Sequence, residues 1–338
     1  MADLPFNWRA WIAECVSRGI PADAMKVVLQ EQGLALTEVE KEIQEAFHHP
    51  YMLALTEANS SLRKREWLLM LYDAKHRKIK KYGSKILKKK KLPTFKEFQK
   101  KYYYENTPVL FQGAVKDWKA LDWTFDSIKE KVGNPVIEVV TNRSHDPRYE
   151  QNTDKYKTPM HFHEFIDKVV AAGRSNDIYL TGNNYGKSFE ALKPLYDELG
   201  ILGDGWLDMQ KLSGDMFLWI GPAGTITNAH HDLRDNLFVQ IHGRKKFRLV
   251  PALQVPYIYN KVHVFSEMNL LKPDVKMYPE FANATPIDVI VNPGDCLYVP
   301  VGWWHAVESL DNSISFSSCN INLEDKYYER YPRITPSY

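Results

Sequence analysis

A chain of 338 residues, 44% hydrophobic and 25% charged, is long enough for one large domain plus a small one around a sizeable core, which excludes a disordered or fibrous chain. Three scattered cysteines, Cys15, Cys296 and Cys319, exclude a fully paired disulfide framework and sit at no metal-ligand spacing, so a reducing compartment is expected. No window reaches the apolar length of a membrane-crossing helix, and the N-terminus lacks the basic start and apolar stretch of a signal peptide. The expected location is therefore cytoplasmic, or nuclear in a eukaryote, with no membrane partner.

Residues 1–74 read as a small helical domain. Trp8, Trp11, Ile12 and Cys15 fall at three- and four-residue spacing ahead of Gly19, and a second helix opens at Pro21 and stops at Gly33. Thr37 and Glu40 have the spacing of a capping box for a third helix, which should stop before Pro50. A longer amphipathic stretch, "SSLRKREWLLMLYDAKHRK", follows and runs into a basic span. Residues 75–92 form that span, a lysine-rich connector. Its stretch 75–91 holds nine lysines, one arginine and no acid, and removing those ten charges from the overall +2 leaves the remainder at about −8. A solvated connector, a surface for RNA or an acidic peptide, and a nuclear import signal are all compatible with such a run.

Residues 93–338 form the large domain. A short helix, a strand at Pro108–Phe111 and a turn at Gly113 open it; "PVIEVV" and "DIYLTG" are further short strands. From about Asp215 strands dominate: "DMFLWIG", "NLFVQIHG", "KKFRLVP", "DVIVNPGDCLYVP", "HAVESL" and "SISFSSCNI". Helices first, then closely spaced strands with turn signals, predict a mainly β domain with helices, its core a double-stranded β-helix of the jelly-roll kind.

Within it, "TITNAHHDL" carries the chemistry. If "AHHDL" is extended, His230 and Asp232 share one face and His231 points to the other, so one metal can take the first two but not the third. His305, which starts a strand after a Pro-Gly turn and the pair Trp303–Trp304, is the best third ligand. Two histidines and one carboxylate on one face are the donor set of non-haem Fe(II) oxygenases, whereas a structural zinc site is usually closed by four protein ligands. "MHFHEF", with His161, His163 and Glu164, reads as structural. His242 and His263 read as hairpin or surface residues, and Trp303 and Trp304 as packing walls.

The stretches "TPVLFQGAVKDW", "GTITNAHHDLRDNLFVQIHGRKKFRLVP" and "VNPGDCLYVPVGWWHAVESL" resemble, in this order, the JmjC and cupin-like family of Fe(II)- and 2-oxoglutarate-dependent hydroxylases. The likeness spans about Pro108 to Asn322 and is clearest to the branch of the hypoxia-inducible-factor asparaginyl hydroxylase. The family motif T-x-x-H-x-D is filled by Thr227, His230 and Asp232. The resemblance implies that Lys245, not Lys246, meets the far carboxylate of 2-oxoglutarate, with Thr227 and Tyr179 bonding it and Asn236 and Asn320 lining the pocket. It further implies Fe(II), 2-oxoglutarate and O2 as cofactor and co-substrates, with succinate and CO2 released. "MHFHEF" aligns with a family helix outside the barrel.

Hydroxylation of a side chain of a peptide or protein is the expected function. The alternatives are hydroxylation of an RNA base, with the lysine run tracking phosphates, N-methyl-lysine demethylation, and a non-enzymatic binding module on the same scaffold. The dimerisation helices that follow the barrel in the asparaginyl hydroxylase have no clear counterpart in "INLEDKYYERYPRITPSY", so the oligomeric state stays open.

Overall fold

The computed structural model describes residues 4–80, 85–181, 187–200, 202–203, 205–207, 216–323 and 327–331. The chain divides into two compact units, Met1–Ile79 and Lys80–Tyr338. No helix among the described residues is long and apolar enough to cross a membrane.

The first unit holds α1 (Phe6–Ser17), α2 (Ala22–Glu31), α3 (Leu36–His48) and α4 (Pro50–Lys80). Each short helix contributes an apolar pair at four-residue spacing, Ile12 with Val16, Met25 with Leu29 and Val39 with Ile43, and the three pairs bury one another. Two expectations are corrected in detail. Pro21 precedes the first helical residue of α2 as its N-cap. No Thr37–Glu40 capping box forms, because α3 starts at Leu36 after Ala35, which leaves Thr37 inside the first turn. α4 begins at Pro50, whose fixed φ suits a first helical turn.

The second unit opens with β1 (Leu87–Lys89), α5 (Phe95–Phe98), β2 (Val109–Phe111), α6 (Phe125–Val132), β3 (Val136–Thr141), β4 (Lys157–His161), α7 (Phe162–Ala171), β5 (Ile178–Tyr179) and α8 (Lys187–Tyr196). The strand-rich part follows: β6 (Met216–Gly221), β7 (Ile226–His231), β8 (Asn236–His242), β9 (Lys245–Val250), β10 (Asn260–Val262), β11 (Phe265–Ser266), β12 (Ile287–Val291), β13 (Cys296–Val299), β14 (Trp304–Ser309) and β15 (Ser313–Ser318). One six-stranded sheet has the order β1-β2-β13-β8-β15-β6, the other β10-β11-β7-β14-β9-β12; β4-β3-β5 form a small third sheet. The jelly-roll expectation holds.

Alternation explains how the sheets pack. Phe238, Leu110, Leu297 and Val299 of the first sheet meet Phe247, Leu249, Val289 and Val307 of the second in the barrel interior. The opposite face of the first sheet, with Val109, Phe111, Val239 and Phe316, is buried under Ile128, Phe165 and Leu195 of α6, α7 and α8. Part of the lysine-rich span belongs to this unit: Leu87–Lys89 pairs in parallel with β2, and Ile86 is buried in the barrel interior. Lys81 to Ser84 lie outside the described residues.

The β8–β9 hairpin aligns both inward-facing rows. Its turn residue Gly243 has φ +69°, and a Cβ there would strike the Asn312 carbonyl oxygen. Gly243→Ala should destabilise the protein by roughly 2–4 kcal/mol, read as a lowered urea midpoint at unchanged slope.

Candidate metal centre and its pocket

β7 and β14 lie antiparallel with His230 opposite His305 and Thr227 opposite Val307. Two residues of β7, Asn228 and Ala229, therefore stand opposite one of β14, Ala306. The extra residue is a bulge at Asn228–Ala229, and it is what lets Thr227 and His230, an odd number apart, face the same cavity. Ala229 packs outward among Val250, Ile258, Met268 and Trp304.

The ligand atoms of His230, Asp232 and His305 lie within 4.8 Å of one another, the one such group of histidine, cysteine or acidic residues among those described. Asp232 stands between the rings, with Oδ1 3.7 Å from His230 Nε2 and Oδ2 3.7 Å from His305 Nε2. His230 Nδ1 is 2.7 Å from the Asn228 carbonyl oxygen, and His305 Nδ1 is 3.0 Å from that of Trp303. A carbonyl can only accept, so each Nδ1 carries the proton and each Nε2 presents a lone pair to the cavity. Burial, with His230 beside it, pushes His305 down to about 4, so its imidazole is neutral at pH 7, as ligation requires. Burial pushes the Asp232 carboxyl up, but His305 and His230 outweigh it and hold the group below the usual carboxylate range. These donors fit Fe(II): two neutral imidazoles and a carboxylate on one side of an open cavity.

His231 turns away, against the Trp304 ring at 4.8 Å. Asn236 donates from Nδ2 to Asp232 Oδ2 at 3.0 Å, while its own buried Oδ1 has no hydrogen-bond partner. Asn236 thus steers the carboxylate, and Asn236→Ala should weaken Fe(II) binding about 10- to 100-fold in a competitive metal titration.

The cavity beside the triad measures about 70 Å³ and is lined by Thr227, Tyr179, Lys245, Asn236 and the triad, with apolar walls from Trp219, Phe238, Phe247 and Val307. Lys245 is 1% exposed, and its Nζ donates to Tyr179 Oη at 2.9 Å. Thr227 also hydrogen-bonds the Tyr179 side chain. Among the described residues no carboxylate lies within ion-pair distance of Lys245; burial, then the charge of Arg143, pushes its amine down to about 7. Lys246, one step along the strand, turns outward to Asp288 at 3.1 Å. Asn320 is buried but is not among the residues lining the cavity; it accepts a hydrogen bond from Ser318.

Sequence reasoning overlooked the support behind this pocket. Arg143, 1% exposed, donates to Glu150 at 2.9 Å, Asn176 at 3.0 Å and the Ile226 carbonyl at 2.7 Å, and lies over the rings of Tyr149 and Tyr179. The single Tyr149 O–H is shared between the same Ile226 carbonyl, at 2.9 Å, and Asn228 Oδ1, at 3.0 Å. Together they pin the start of β7, and hence Thr227, to the small sheet. Trp219 could have been found from the alternation in "DMFLWIG"; nothing local to Arg143 marks it. Of the residues read as structural, Trp303 sits in the barrel interior and Trp304 on the outer side of the second sheet. His161 and His163 flank the start of α7 and bond the carbonyls of Asn134 and Lys129.

Comparison with known proteins agrees with the fold. The family model described as a cupin-like domain matches residues 95–325. HSPB1-associated protein 1 of Mus musculus is 40% identical over 248 residues, 66% of this chain and 50% of that protein. Lysine-specific demethylase 8 of Xenopus tropicalis is 28% identical over 236 residues, 67% of this chain and 50% of its own length. JmjC domain-containing protein D of Dictyostelium discoideum is 28% identical over 258 residues, covering 68% and 56%. The chain spans about half the length of the curated relatives it matches, and these names do not single out the asparaginyl-hydroxylase branch. With the jelly roll, the metal triad and a match over residues 95–325, the chain belongs to the cupin-like family.

Proposed function

We propose that this protein is an Fe(II)- and 2-oxoglutarate-dependent oxygenase that hydroxylates a side chain of a peptide or protein. One observation carries the reading: a metal-donor triad shares its cavity with a fully buried lysine that, among the described residues, faces no carboxylate. Burying an unpaired ammonium is costly, and a dicarboxylate that reaches Lys245 with one end and the triad with the other removes that cost.

When bound, the iron, 2-oxoglutarate and O2 supply the oxidation, in which decarboxylation to succinate and CO2 leaves one oxygen atom for a substrate C–H bond. This chain's residues supply position. His230, Asp232 and His305 would hold the metal, their Nε2 and carboxylate aim fixed by the Asn228 and Trp303 carbonyls and by Asn236. Lys245, Tyr179 and Thr227 converge where the far carboxylate of the co-substrate belongs. Phe238, Phe247, Val307 and Trp219 keep water from the reacting centre.

The same chemistry applied to an N-methyl group is lysine demethylation, and the names of the Xenopus relative and of lysine-specific demethylase JMJ30 of Arabidopsis thaliana favour this as the second reading. The test is succinate release with Fe(II), 2-oxoglutarate and ascorbate in extract of cells lacking the protein. Stimulation that protease removes identifies a peptide substrate, and mass spectrometry then separates added oxygen from lost methyl. Stimulation that RNase removes points to RNA instead. No turnover in any condition, even without substrate, leaves only a binding module.

A further inference from the structure

The lysine run is not absorbed by the metal centre. The described part that follows α4, 85–91, carries Lys85, Lys88, Lys89, Lys90 and Lys91, all exposed, with no acid between them. Among the described residues none of the five has an ion-pair partner. Lysines on an edge strand ordinarily guard against pairing with other sheets. Here the guard is selective, because a free edge ringed by cations still admits an anionic strand.

Three observations give that edge a direction. First, among the described residues β1 is the end of its sheet and pairs only with β2. Gln112 N–H donates to the Lys89 carbonyl at 2.7 Å, so Lys89 turns its backbone groups toward β2. By alternation, the N–H and C=O of Lys88 face away from it. Second, the chain is anchored: Ile86 is buried in the barrel interior beside Trp303. Third, Leu87 is level with Val109, Tyr298 and Leu237 across the sheet. Three strand spacings put the edge roughly 15 Å from Leu237, the neighbour of Asn236. Residues 85–91 hold no aromatic ring on which bases could stack, which favours a peptide over single-stranded RNA.

We propose that β1 is the docking edge for an acidic, extended segment of the peptide substrate, which adds as a further strand beside Lys88 with its acids against the lysines. The inference rests on the peptide-oxygenase reading and names the class of sequence that flanks the modified residue. Lys88 stands in the middle of β1 and Lys90 one residue past its end, both exposed, so the two cations flank the place where an acidic strand would pair.

The test uses the full chain and fluorescein-labelled peptides, (Glu-Val)5 and the block isomer Glu5Val5, with a U20 oligoribonucleotide, by fluorescence polarisation at low and moderate salt. The expected result is that (Glu-Val)5 binds more tightly than Glu5Val5. Reversing two charges in K88E/K90E should weaken it about tenfold, or ~1.4 kcal/mol, and Lys88→Pro, which removes the outward N–H as well as one charge, should weaken it more than Lys88→Ala does. Equal binding of the two isomers, or indifference to K88E/K90E, overturns the proposal. So does U20 binding that K88E/K90E removes while neither peptide binds. Uncoupled succinate formation by the unaltered protein is measured in parallel. Turnover without peptide binding removes this inference and leaves the oxygenase standing; peptide binding without turnover does the reverse.

Discussion

His230→Ala is expected to remove Fe(II)-dependent succinate formation almost entirely, while His231→Ala keeps a substantial part of it. The two histidines are adjacent, so only their direction separates them. His230 sends Nε2 to within 3.7 Å of Asp232, whereas His231 packs on Trp304 behind the sheet. A metal that contributes several kcal/mol of transition-state stabilisation makes the first loss on the order of 10³-fold. Metal titration should show the same split, with loss of Fe(II) binding confined to His230→Ala. Equal loss in both variants would contradict the ligand assignment.

The second large effect is at Lys245. Lys245→Met should raise the 2-oxoglutarate KM about a hundredfold, or ~3 kcal/mol, while Lys246→Ala, which removes an exposed pair with Asp288, should change it only slightly. Lys245 also sets a pH signature. Its ordinary pKa is near 10.4, burial lowers it to about 7 in the free protein, and a bound carboxylate raises it again. At pH 8 the free amine is mostly neutral and the bound one charged, so binding takes up nearly one proton, and affinity declines as pH rises above about 7. Calorimetry in buffers of different ionisation enthalpy measures the uptake; the Lys245→Met variant should lack it.

Much of this site was legible in the sequence because it depends on period-two alternation. "AHHDL" separates His230 from His231, "HGRKKF" separates Lys245 from Lys246, and both separations appear in the fold. The strands from "DMFLWIG" to "SISFSSCNI" lie where their alternation places them. Three features were beyond that reasoning. Alternation alone sets Thr227 and His230 on opposite faces; only the cupin-like motif placed them together, and the bulge supplies the cause. Arg143 acts through contacts with residues 226 and 176, too far along the chain for any local pattern. The Thr37–Glu40 box has the right spacing, but the helix begins two residues earlier than such a cap allows. The asparagines divide in the same way: Asn236 meets the Asp232 carboxylate directly, while Asn320, placed by likeness, bonds Ser318 and does not line the cavity.

The bulge at Asn228–Ala229 also governs how the protein can change. A strand without it has one phase, and shortening it by a residue moves everything beyond the cut to the other side. β7 holds two phases joined at one point, Thr227 beside Tyr179 before it and His230 of the candidate triad after it. Deletion of Asn228 or Ala229 therefore does more than trim a loop: it leaves the strand able to keep either the co-substrate contact or the metal contact in register, but not both. The length of this segment is constrained more tightly than its side chains, and variation here proceeds by substitution rather than by insertion or deletion.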